Sequence, residues 1–152
     1  MSIKSRALLA MAAIAVGVSL TLTPTAIAAS APDASAQSGW TAYHTRGDVA
    51  GANAAGSVYT YGNQNRVKVT GTIKDTKADG KLAILQLWAT YADGGHRYER
   101  DITGGSKALG QDGGYTFASS VRTIEVQECL GHKTASGRLV FDKCAPGWHA
   151  IW

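Results

Sequence analysis

The side chains able to do chemistry are thinly spread along this chain. Its four histidines, His44, His96, His132 and His149, fall in four separate segments, and none lies beside a candidate nucleophile. "GYTFASS" lacks the G-x-S-x-G spacing of a nucleophile elbow, so a Ser-His site has no support. Glu125 and Glu128, three residues apart in a strand pattern, point to opposite faces and cannot work on one bond as a carboxylate pair. "DTKADG" places Asp75 and Asp79 ahead of Gly80, as a calcium loop would. However, Lys77 stands where the third ligand belongs and Gln86 where the bidentate Glu belongs, so the segment reads as an Asx turn. Two cysteines with His132 and His149 complete no zinc spacing. The chain is therefore expected to be no enzyme and to hold no cofactor and no metal.

The two cysteines carry a different chemistry. Lys4 and Arg6 form a basic start, Ala7 to Leu22 an apolar run, and Ala26-Ile27-Ala28 a small-residue cleavage site. This is the pattern of a signal peptide over residues 1–28, which predicts a secreted, extracellular protein with no membrane segment after cleavage. In that oxidising setting Cys129 and Cys144, at the two ends of one hairpin pattern, are expected to pair. Loss of the leader removes two lysine or arginine charges and halves the net charge of +4. No basic run is left to follow a phosphate backbone, so nucleic acid is excluded as a partner.

Residues 29–56 are dominated by Ala, Ser and Gly and show no sustained period, which predicts a flexible N-terminal arm. The arm carries Trp40 and Tyr43. Arg46-Gly47-Asp48 within it reads as a turn. Residues 57–152 form the folded domain. Val67, Val69, Gly71 and Ile73 alternate with Arg66, Lys68, Thr70 and Thr72 in a strand, and Lys81 to Tyr91 runs back apolar on both faces. Such a strand is either central and covered on both faces, or one face waits for a partner; Ile84 and Trp88 share one of the two faces.

"ADGG" turns the chain into a strand from His96 to Ile102, and "TGGSKALGQDGG" reads as a loop. Strands follow at Tyr115 to Ser119, Arg122 to Leu130, "RLVFDKC" and Trp148 to Trp152, the last with both tryptophans expected in the core. About seven short strands without a helical period predict an all-β fold, a small immunoglobulin-like antiparallel β-sandwich.

From Val67 onward, "VTGTIKDTKADGKLAILQL", the "YADGG" hairpin, "VQECLG" and the ending "DKCAPGWHAIW" resemble small exported β-sandwich proteins of filamentous actinobacteria. Among these is the adaptor subunit of umbrella toxin particles. That resemblance implies a non-enzymatic adaptor joining extracellular protein partners, a lectin subunit and a helical-repeat toxin subunit. Trp40 and Tyr43 of the arm and Ile84 and Trp88 of the sheet are the expected partner-binding residues. The alternatives are a carbohydrate-binding module built on Trp88 and neighbouring aromatics, and a protease inhibitor presenting residues 103–114.

Overall fold

Strand β1 (Ser38–Thr41) opens a chain of ten strands among the described residues of a computed structural model, which are 37–42 and 49–152. The signal segment 1–28, residues 29–36, Tyr43 and the Arg46-Gly47-Asp48 turn lie outside them. The strands that follow are β2 (Ala52–Tyr61), β3 (Arg66–Asp75), β4 (Leu82–Tyr91), β5 (His96–Thr103) and β6 (Ser106–Ala108). Then come β7 (Gly114–Phe117), β8 (Val121–Lys133), β9 (Leu139–Cys144) and β10 (His149–Ala150).

They form two antiparallel five-stranded sheets packed as a β-sandwich. One runs β1-β2-β3-β6, with β7 also on β3, and the other runs β10-β8-β4-β5, with β9 also on β8. Between them lie Val58, Val67, Val69 and Ile73 from the first sheet and Leu85, Leu87, Ile124 and Val126 from the second. These are the alternate positions of each strand, so the period of two in the sequence becomes the buried face.

The expected arm is corrected over much of its length. Residues 38–41 pair with β2, and Ala52 to Gly56 pair with β3. Trp40, Ala42, Val49, Ala52 and Ala54 are buried in the core. Smallness, which suggested disorder, here permits close approach. Gly56 and Gly71 face each other, and a Cβ on Gly56 would fall 1.9 Å from the Thr70 carbonyl oxygen. The folded domain therefore begins near residue 38 and not at 57.

Two further expectations change. The stretch 103–114 holds β6 against β3 and buries Leu109 beneath it. Asp101, itself buried, ties this stretch down: it accepts hydrogen bonds from Lys107 Nζ (2.6 Å), Gly110 N (2.9 Å) and Tyr115 Oη (2.8 Å). At the C-terminus Ile151, not the tryptophans, packs against the core. Trp148 and Trp152 are 39% and 38% exposed, because β10 engages β8 over two residues only and its inward alternation falls on Ile151.

Candidate functional site

The outer face of the β4 sheet is built by the turn that joins β4 to β5. Gly94, at φ 82°, and an Asp93 carboxylate that accepts from Gly95 N at 2.9 Å close this turn tightly. It fixes the register so that Trp88 stands opposite Tyr98, Gln86 opposite Arg100, and Thr90 opposite His96. On the other side β8 places Glu125 opposite Trp88 and Cys129 opposite Ile84. Directly opposed residues share a face, so one continuous surface collects Ile84, Gln86, Trp88, His96, Tyr98, Arg100, Glu125 and the cysteines.

At its centre Trp88 meets three rings. Its centroid lies 5.1 Å from His96, 6.2 Å from Tyr98 and 6.4 Å from Trp148, the last two at interplanar angles of 61° and 59°. These are edge-to-face and tilted contacts of the kind aromatic quadrupoles favour. Beyond Tyr98, the Arg100 guanidinium lies 5.0 Å from the Tyr98 ring centroid and 4.8 Å from that of Phe141, held between two π faces. Arg100 also donates from Nε and Nη2 to Tyr98 Oη at 2.9 and 2.7 Å.

The polar floor beneath these rings is connected. Tyr98 Oη donates to Gln86 Oε1, and Gln86 Nε2 donates to Gln127 Oε1 at 3.1 Å and to Cys129 Sγ at 3.0 Å. Gln127 Nε2 in turn donates to the Ala145 carbonyl at 2.7 Å. Cys129 and Cys144 form the expected disulfide, across β8 and β9. The buried Gln86 amide, satisfied in this way, holds Tyr98 and Arg100 in one arrangement. Among the described residues Arg100 and Glu125 make no ion pair, although both lie on this face.

The sequence-predicted site residues separate in space. Trp88 is half-buried at the centre of the outer face. Ile84 is on the same face but fully buried, close to Gly131, where a Cβ would fall 2.8 Å from Ile84 Cδ1. Trp40 is in the core, 7% exposed, and borders a groove of about 370 Å³ between β1 and β10 that is also lined by Gly39, Thr41, His149, Ala150 and Ile151. Its Nε1 has no hydrogen-bond partner among the described residues. Tyr43 lies outside the described residues.

Sequence reasoning passed over Tyr98, Arg100, Phe141 and the outward turn of Trp148. The signal for the first two was present, since "HRYERDI" alternates and a tight turn sets it against Trp88. No group of three His, Cys, Asp or Glu side chains able to hold a metal occurs among the described residues, and none of their helices is long and apolar enough to cross a membrane. No family model, curated protein or solved structure matches the chain.

Proposed function

We propose that this chain is a secreted, non-enzymatic binding protein that holds an extracellular macromolecule on the outer face of the β4 sheet. The observation that carries this reading is the exposed aromatic cluster at Trp88. Tyr98 and Trp148, 37% and 39% exposed, flank it, and a hydrogen-bonded floor holds it rigid. Trp, Tyr and Arg supply large contact area at low conformational cost, and their concentration on one face is what a recognition surface needs.

The resemblance to toxin-particle adaptors gives the reading a wider form, in which the protein joins two extracellular partners and this face serves one of them. The residues of the former arm that lie in β1 and β2 are occupied in folding, which leaves the outer face as the better supported contact. The experiment is capture from culture supernatant by the mature protein and by a Trp148→Ala variant. Stoichiometric recovery of a macromolecule by the first and its loss by the second, with unchanged melting, is expected. Equal recovery by both would refute the reading.

A further inference from the structure

We infer that the ligand of this face is a single soluble polysaccharide chain, its sugar rings stacked on Trp88 and Trp148 and its hydroxyls hydrogen-bonded by Glu125. The inference rests on the reading of the outer face as a binding surface and names what occupies it.

Ring geometry narrows the choice first. At 6.2 and 6.4 Å between centroids, Trp88 is in direct contact with Tyr98 and Trp148. Nothing fits between rings so close, so they do not enclose an ammonium group as an aromatic cage does. A ligand must lie on their outward faces. A pyranose suits such a surface because one side of the ring presents C–H bonds while its hydroxyls radiate from the rim. Inclinations of 61° and 59° also reject a flat crystalline fibre, which needs coplanar rings, and follow the turn of one free chain.

Charge placement decides between a glycan and a protein. Glu125 stands directly across from Trp88 on one side and Ala150 on the other, without a hydrogen bond or ion pair among the described residues. A protein interface centred on Trp88 would bury that carboxylate, and charged groups are depleted at interface cores for that reason. Its two acceptor oxygens match a pair of neighbouring sugar hydroxyls, which satisfy it without a counter-charge. On the opposite flank Arg100, fixed between Tyr98 and Phe141, supplies donors to hydroxyl and ring oxygens. Apolar stacking surface with a few convergent polar groups is the usual make-up of a small-ligand site.

The test is affinity electrophoresis and calorimetry of the mature protein with cellohexaose, chitohexaose, xylohexaose and laminarihexaose, and pull-down with microcrystalline cellulose and chitin. Saturable binding of at least one soluble oligosaccharide is expected, with poor retention on the crystalline solids. Trp148→Ala should weaken it about tenfold or more, the scale of losing a stacking anchor. Glu125→Gln, a near-isosteric change beside Trp88, should weaken it severalfold with melting unaltered, so the result does not depend on Trp88 variants folding. Absence of binding to all four oligosaccharides, or binding indifferent to both substitutions, overturns the inference. If glycans fail while a supernatant protein is captured in a Trp148-dependent way, the ligand is a protein and the binding face stands. If both fail, the face itself is misassigned.

Discussion

The carboxylate of Glu128, buried between the sheets, accepts a 2.7 Å hydrogen bond from the backbone N–H of Ala54 on the opposite sheet. Beside it the β1–β2 ladder ends, with Ala42 N still donating to the Ala54 carbonyl at 2.8 Å. The side chain thus takes over where strand pairing stops. Glu128→Leu leaves that N–H unpaired in the core and should cost about 1–3 kcal/mol, whereas Glu128→Gln keeps an acceptor and should cost less. Thermal melts of the pair check this; equal losses would show that the bond is not what matters.

Truncation separates the strands from what precedes them. Deletion of residues 29–36 keeps β1 and all the described strand pairings, and serves as the reference for a longer deletion. Deletion of 29–56 removes β1 and the half of β2 that pairs with residues 71–75, exposing Ile73 and the Ala54 partner site of Glu128, and should abolish cooperative unfolding. A normal melt for the longer deletion would restore the arm reading.

What the sequence revealed and what it hid divide along physical lines. Strands with large β-branched or aromatic residues on one face, such as Val67-Val69-Ile73 and Ile124-Val126, were legible because their period matches burial. Ala52, Ala54 and Gly56 keep the same period with side chains too small to signal it, so the first half of β2 reads as flexible arm. Trp148 and Ile151 were exchanged between faces because the side toward which so short a strand as β10 alternates depends on where it meets β8. Of the site, Trp88 was visible in its strand. Its neighbours became visible only through the register of two hairpins.

The disulfide should be the largest single covalent contribution to stability. Its loop spans a sequence separation of 15, for which chain entropy gives roughly 3 kcal/mol. A Cys129→Ser, Cys144→Ser variant should unfold at correspondingly lower denaturant, and intact secreted protein should weigh two hydrogens less than its reduced form. Two free thiols in secreted material would contradict the pairing.

Alkaline pH should weaken the tether at residues 103–114. Burial, then the hydrogen bond to Asp101 and the charges of Asp101 and Glu99, raise the Tyr115 phenol well above its ordinary value. A raised folded-state pKa means a contribution fully present below about pH 10, where the unfolded phenol is also protonated. It is lost as pH climbs from there through the folded pKa. The stability advantage of wild type over Tyr115→Phe should therefore shrink steadily above about pH 10 in melts across that range. A constant difference would show that Tyr115 is not coupled to folding.

The central claim is that ligand sits on Trp88 and Trp148. The four tryptophans of the chain give four indole N–H signals, which report ligand contact ring by ring in a nitrogen-labelled sample of the mature protein. On addition of the captured macromolecule, or of an oligosaccharide that binds, the Trp88 and Trp148 signals should shift or broaden together while buried Trp40 stays in place. Movement of Trp40 with Trp88 and Trp148 unchanged would put the site at the β1–β10 groove and contradict the account.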